Sequence, residues 1–461
     1  MDAGTARPSK VKSPEDASLN GTALRGSALR NALGGFAVRG LEVGLKFLLY
    51  MLAAHLLGKA QSGFLFLAMT WGHLAATCGR LGIEKALTRL VAAELAVGQG
   101  ARARHLAVRG ALVVLVAGLG FGAVTMAAAP LAADLVFHDD AVGPALRMSG
   151  LVIPGMALAF TITGIMSGLG RTVSAQLLQN VFWPAGLLIG LLLGQREASG
   201  LIATLAVTML VTVCCGVAAL LADRRRLAAD GPVQAGVSLL PGLRATAAPL
   251  YVVELVQVSI ASLPVLVLGM FADAGAVSIF SVASRASMLV LVVLISLGTV
   301  AAPRYAGLHH KRLADDLKVL NRRIQLAGAV IGGGLSLMLA AGAFPLLSLL
   351  GQGFADGSLV LLVMASGQMV NALYSGQDVL LAMTGHGPAL RLLNIVQFGV
   401  VSLLCLVLIP IFGAMGAAIA TAVCTAQGGI GSAAVARLLV PEAGPFLAPA
   451  VPFKLRSCFT G

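Results

Sequence analysis

The chain has 461 residues, 58% hydrophobic and 11% charged, with a mean hydropathy of +0.93. Soluble domains carry about 25% charged residues, so this composition excludes a water-soluble globular protein and calls for an integral membrane protein. The formal net charge of +13 reads mainly as a topology signal, because no separate basic domain exists to bind a nucleic acid.

Residues 1–31 are polar, mix Pro, Ser and charges of both signs, and read as a disordered cytoplasmic tail. No cleavable leader is expected, since the first apolar run is too long and leads straight into more spans. A transmembrane helix needs about 20 mostly apolar residues. Twelve such runs follow, near 32–57, 61–83, 106–137, 145–169, 174–194, 199–222, 245–271, 275–301, 321–350, 358–384, 389–412 and 413–440. Helices are predicted, because the runs are far longer than barrel strands and lack their alternation.

Lysine and arginine placement sets the orientation. The tail holds Arg7, Lys10, Lys12, Arg25 and Arg30, and the second loop Lys85, Arg89, Arg102 and Arg104. The sixth loop holds Arg224-Arg225-Arg226 and Arg244, and the eighth Arg304, Lys311, Arg312, Lys318, Arg322 and Arg323. Odd-numbered loops hold only Lys59 and Arg196, with Asp139, Asp140, Glu197, Asp273 and Asp356. Both termini are therefore expected in the cytoplasm. Five of the six cysteines lie within spans and Cys458 in the last segment, so no disulfide is expected. No metal-ligand spacing is present, and no cofactor is expected.

The chain repeats itself at an offset of 215 residues: Arg89 meets Arg304, Gly170 meets Gly385, and Ala129-Pro130-Leu131 meets Phe344-Pro345-Leu346, each at an equivalent span boundary. A six-span repeat keeps its orientation, so its pseudo-axis runs along the membrane normal. The expected fold class is an all-α polytopic membrane protein, with about 12 transmembrane helices in two six-helix lobes related by a pseudo-twofold axis along the membrane normal. The N-terminal lobe is 32–222, a cytoplasmic linker 223–244, the C-terminal lobe 245–440, and a cytoplasmic tail 441–461.

Span 1 keeps charges inside an apolar run, FAVRGLEVGLKFLLYML (Phe36–Leu52). On a helix, Arg39, Glu42, Lys46 and Tyr50 fall within about an 80° arc. Glu42 and Lys46 also stand at i, i+4, the favourable order for an ion pair. At the offset of 215, Arg39 meets Glu254 and Glu42 meets Gln257 on span 7. Three readings stay open: a water-filled cavity, a structural ion pair joining spans 1 and 7, or an interfacial segment facing headgroups. Arg285 lies near the middle of span 8, sharing a face with Ser281, Ser284 and Met288. An arginine there costs several kcal/mol unless it is solvated or paired, with Glu254 as the alternative partner. Gln368, Asn371, Ser375 and Asp378 form a polar stripe on span 10, fitting either a cavity or interhelical hydrogen bonding. Arg80 lies near the inner mouth of span 2, as a cavity residue or an ordinary flank. His73 sits mid-span, as a proton relay or a satisfied interior histidine. Glu254, Asp378 and His73 are the candidates for ion coupling.

There is no GxxxxGK[ST] loop, HExxH or GxSxG, and the outer loops are too short for a catalytic domain. The build is a transporter's rather than an enzyme's. The stretch LLGKAQSGFLFLAMTWGHLAATCGRLGIEKALTRLVAAE (Leu56–Glu94), echoed by VSIFSVASRASML and AAPRYAGLHHKRLADDL within Val277–Leu317, resembles the polysaccharide transporter family. That family contains the O-antigen and exopolysaccharide repeat-unit flippases of the multidrug/oligosaccharidyl-lipid/polysaccharide superfamily. The resemblance spans nearly the whole chain, through loose motifs. Ser62 departs from it, standing where the family often has an aromatic residue.

The resemblance implies a V-shaped pair of lobes whose cavity is lined by helices 1, 2, 7 and 8. Arg39, Glu42, Lys46, Arg80, Glu254 and Arg285 lie on those helices. It further implies a polyprenyl-pyrophosphate-linked oligosaccharide as substrate, membrane lipids around it, and a polymerase and glycosyltransferases as partners. The location it implies is the bacterial cytoplasmic (inner) membrane. A guanidinium stays charged and binds phosphate oxygens as a fork, which fits that role. The competing readings are a proton- or sodium-coupled multidrug or cation exporter, for which acidic cavity residues are expected, and a glycan polymerase or ligase, which needs a large outer loop.

Overall fold

The computed structural model describes residues 14–223, 239–351 and 353–444. Helix α1 (Pro14–Arg80) runs for 67 residues, about 100 Å if straight and far more than the ~30 Å of a hydrocarbon core. It is broken at Gly58, whose φ of 74° and ψ of 177° suit glycine alone. The rings of Tyr50 and Phe66, on either side of that break, stack at 4.3 Å. On one unbroken helix they would stand about 24 Å apart. The chain therefore reverses at Gly58, and α1 supplies two crossings.

The remaining helices are α2 (Ile83–Ala96), α3 (Gly100–Ala132), α4 (Val142–Gly168), α5 (Thr172–Asn180), α6 (Phe182–Leu192) and α7 (Ala198–Ala222). They continue as α8 (Leu239–Phe271), α9 (Ala274–His310), α10 (Ala314–Ala327), α11 (Gly333–Ala341) and α12 (Ala343–Ser348). The chain then forms α13 (Ser358–Leu373), α14 (Gln377–Met383), α15 (Gly387–Phe412) and α16 (Ala414–Leu439). Among the described residues, 11 stretches are long and apolar enough to cross a membrane, with Ala37–Arg80 counted once. Division at Gly58 yields the twelve expected crossings. Large apolar side chains point outward, such as Leu112, Val116 and Leu119 on α3 and Leu403, Leu406 and Val407 on α15. Such a surface suits lipid rather than water.

In the N-terminal half, α4 packs between α3 and α7, and all three touch α1; in the other, α13 likewise packs between α11 and α16, and all three touch α9. The repeat survives in backbone detail. Gly170 and Gly385 adopt φ of 83° and 88° at equivalent turns. The Ser62 and Ser278 hydroxyls lie 2.6 Å apart although 216 residues separate them in sequence. Contact between near-equivalent positions places the pseudo-axis beside them. Ser62, where the chain departs from the family pattern, is fully buried at this contact.

Several boundaries differ from the sequence reading. Residues 14–31 are helical, continuous with α1, where a disordered tail was expected; their Ala, Leu and Arg content favours helix. Residues 1–13, with Arg7, Lys10 and Lys12, lie outside the described residues, as do 224–238 with Arg224-Arg225-Arg226, and 445–461 with Cys458. Of the linker, Asp223 is tied to Arg171 by a 2.8 Å hydrogen bond, and α8 already begins at Leu239. Span 10 is discontinuous: α13 ends at Leu373 and α14 starts after Gly376, whose φ is 81°. Asn321 stitches this break, accepting from Gln377 Nε2 at 3.0 Å and from the Tyr305 hydroxyl at 3.1 Å.

Candidate functional site

A cavity of about 460 Å³ lies between the lobes. Lys46 and Tyr50 reach it from the first arm of α1, His73 from the second arm, Trp183 from α6, Gln257 from α8 and Arg285 from α9. Lys46 and Arg285 are its charged lining residues, and no Asp or Glu lines it.

Arg285 is held by stacking. Its guanidinium sits 4.6 Å from the Tyr50 ring centroid, and that ring rests on Phe66. Nη2 donates to the Tyr50 hydroxyl at 3.1 Å and Nη1 points at the Met288 sulfur at 3.4 Å. No carboxylate lies within ion-pair distance of it among the described residues. A guanidinium carries five donors; the Tyr50 and Met288 contacts occupy two of them, and the side chain lines the cavity. Lys46 differs, since Glu42 pairs with it at 2.6 Å across one helical turn, as the spacing predicts. Its ammonium also lies 5.3 Å from the Trp183 ring. His73 packs edge-on against Phe160 at 6.1 Å.

A second cavity, of about 700 Å³, lies in the C-terminal lobe and includes Asn371, Asp378 and Asn394 in its wall. Gln257, Gln368, Gln397 and Thr425 line both cavities, so the two adjoin. The span 10 stripe thus forms a cavity wall, with Asp378 exposed to it.

Arg80 and Glu254 occupy another place. Arg80, 3% exposed, pairs with Glu84 on the same side and with Glu254 of α8 at 3.1 Å. Thr77 Oγ1 accepts a further 2.6 Å bond, and the Phe160 ring covers the guanidinium at 4.7 Å. Lys85 adds a longer contact to Glu254 at 3.7 Å. These charges latch the lobes together rather than line the cavity, because each finds an opposite charge close by. The interlobe pair joins spans 2 and 7, and Glu254 meets Arg80 instead of Arg285. The opposite end of the seam between the lobes is closed by close approach: a Cβ on Gly63 would overlap the carbonyl of Ala274. Arg39 is exposed and lines neither cavity.

Sequence reasoning missed Trp183, Asn394, Gln397 and the Glu84–Lys85 part of the latch. Arg391, Asn394 and Gln397 follow one another at a spacing of three in a mostly apolar span, a legible polar stripe. Trp183 carried no such signal, being one more apolar residue in an apolar run.

The fold is that of a multi-pass membrane protein with a cavity between its two halves. The family model described as polysaccharide biosynthesis protein matches residues 28–309. The chain belongs to that family. None of the curated proteins compared with it matches. Among solved structures it is similar to an inward-facing multidrug resistance MATE family transporter of the MOP superfamily, at 16% identity, over 90% of this chain and 96% of that one, with a TM-score of 0.68. It is also similar to the lipid II flippase MurJ in an inward closed conformation, at 12% identity over 87% and 86% of the two chains, with a TM-score of 0.63. A MOP superfamily transporter from Pyrococcus furiosus, described as having reverse polarity of its binding pocket, is 15% identical over 89% and 95%, with a TM-score of 0.57. At these identities the likeness shows the fold. The family ties the chain to polysaccharide biosynthesis, and its fold is like that of these transporters.

Proposed function

We propose that the protein is a flippase carrying a polyprenyl-pyrophosphate-linked oligosaccharide repeat unit from the cytoplasmic to the outer leaflet of a bacterial inner membrane, both its termini being cytoplasmic. The observation that carries this reading is the charge of the central cavity: Arg285 without a carboxylate, Lys46 beside it, and no acidic residue in the wall. A cavity of that sign attracts pyrophosphate and repels an organic cation. Arg285 contributes the fork that phosphate oxygens accept, and the Tyr50–Phe66 stack fixes its direction. The lipid tail stays in the bilayer while the glycan crosses through the wet space between the lobes. Opening the Arg80–Glu254 latch and the Gly63–Ala274 contact in turn would expose the cavity to alternate sides. Glycosyltransferases would supply this substrate and a polymerase would consume it.

Asp378 in the adjoining cavity favours the second reading, a proton- or sodium-coupled multidrug or cation exporter. A strain lacking the protein separates the two. Without it, lipid-linked oligosaccharide should accumulate on the cytoplasmic face; wild type should clear it, and Arg285→Ala, expressed at the same level, should not. Unchanged lipid-linked glycan together with new sensitivity to cationic drugs would instead establish the exporter.

A further inference from the structure

The C-terminal-lobe cavity differs chemically from the central one. Gln257, Gln368, Asn371, Asn394 and Gln397 bring five carboxamides to its wall, and Asp378 is the one acidic or basic side chain there. An amide offers donors and an acceptor together, the complement of a sugar hydroxyl, which also does both. Tyr374 adds a ring on which the apolar face of a sugar can rest.

Two observations set this wall apart from ordinary interhelical hydrogen bonding. Gln368 Oε1 and Ser375 Oγ are buried without a hydrogen-bond partner, in residues 6% and 5% exposed. Inside a membrane protein an unmatched polar atom is costly; both residues line this cavity, so a side-chain rotation would bring each atom to a ligand there. The room for the amides is also built in. A Cβ at Gly428 would come within 2.9 Å of Gln397 Nε2, and one at Gly429 within 3.0 Å of Asn371 Oδ1. Consecutive glycines on α16 thus leave the space that these amides fill.

The geometry points to this cavity as the sugar subsite of the transported lipid, adjoining the basic cavity that holds the pyrophosphate. The inference rests on the flippase reading. With Asp378 as its one charge, the subsite takes a neutral or amino sugar next to the pyrophosphate and discriminates against a uronic acid. Gln257 and Gln368, shared by both walls, stand where the pyrophosphate and its first sugar join.

The test uses the full chain in lipid nanodiscs with three probes: undecaprenyl pyrophosphate alone, the same lipid carrying N-acetylglucosamine, and the same lipid carrying glucuronic acid. Wild type should bind the N-acetylglucosamine probe about ten-fold more tightly than the glucuronate probe, the size of one like-charge contact in a partly wet site. Asp378→Asn should bring that ratio to within about two-fold. Asn394→Leu should reduce the advantage of the N-acetylglucosamine probe over the bare lipid, whose own binding reports that each variant is folded. Equal binding of the three probes by wild type overturns the subsite. So does an unchanged ratio in Asp378→Asn, and if that variant has also lost transport, the carboxylate is a coupling group. Failure of the bare lipid to bind, or its indifference to Arg285→Ala, removes the flippase reading itself and the subsite with it.

Discussion

Arg80 and Arg285 are both intramembrane arginines, on the second helix of the first half and the second helix of the other. Arg80 meets two carboxylates, a threonine and a phenylalanine. Arg285 meets a tyrosine and a methionine sulfur. The first is neutralised and holds the two lobes together; the second keeps its charge for the space between them. A charge inside a membrane protein thus reports function through its partners rather than its presence.

Substitutions at five positions would break or sharpen this contrast. Arg285→Ala should weaken binding of a polyprenyl pyrophosphate by about 100-fold, the worth of a charge-assisted bidentate contact. Arg285→Lys should recover only part of it, since an ammonium lacks the fork. A titration in nanodiscs reads both. Glu254→Ala should act on stability instead, lowering it by about 2 kcal/mol. That is below the 3–5 kcal/mol expected for breaking a buried pair, because Arg80 retains Glu84. Thermal unfolding of the purified protein checks it, and a loss of lipid binding as large as that of Arg285→Ala would erase the distinction.

Gly63→Val tests the other end of the seam. It should keep the lobes from meeting at Ala274 and lower transport about ten-fold, while lipid binding holds within about two-fold; flux into vesicles, set beside binding, separates these. Lys46→Gln should weaken pyrophosphate binding by about three- to five-fold, less than the arginine, because Glu42 already offsets much of its charge. Arg39→Ala should leave binding within about two-fold of wild type, since that side chain lies outside the cavity wall. A large loss there would return the whole charged stripe to the binding site.

Much of the architecture was legible because a bilayer makes simple demands. Every crossing must be a long apolar run, so the twelve runs could be read directly, and Gly58 was needed only to turn one continuous helix into two. The offset of 215 was legible for a similar reason: Gly170 and Gly385 close equivalent turns with the same left-handed backbone. The Glu42–Lys46 pair followed from helical spacing. The partners of Glu254 did not, because an α1–α8 contact joins residues 174 positions apart, and no local pattern distinguishes Arg80 from Arg285 as its mate. The extent of the first helix was also underestimated, since polar composition suggested a tail where Ala, Leu and Arg still form helix.

By itself the sequence determined a membrane protein of two repeated six-helix lobes, with a small set of charges that lipid would not tolerate unaccompanied. Apolar length, periodicity and repeat offset are properties of the chain, and they survive any packing. Which charges cancel and which remain open was decided only in three dimensions. The energy of a buried charge depends on what lies within a few ångströms, and that distance is set by helices far apart in sequence.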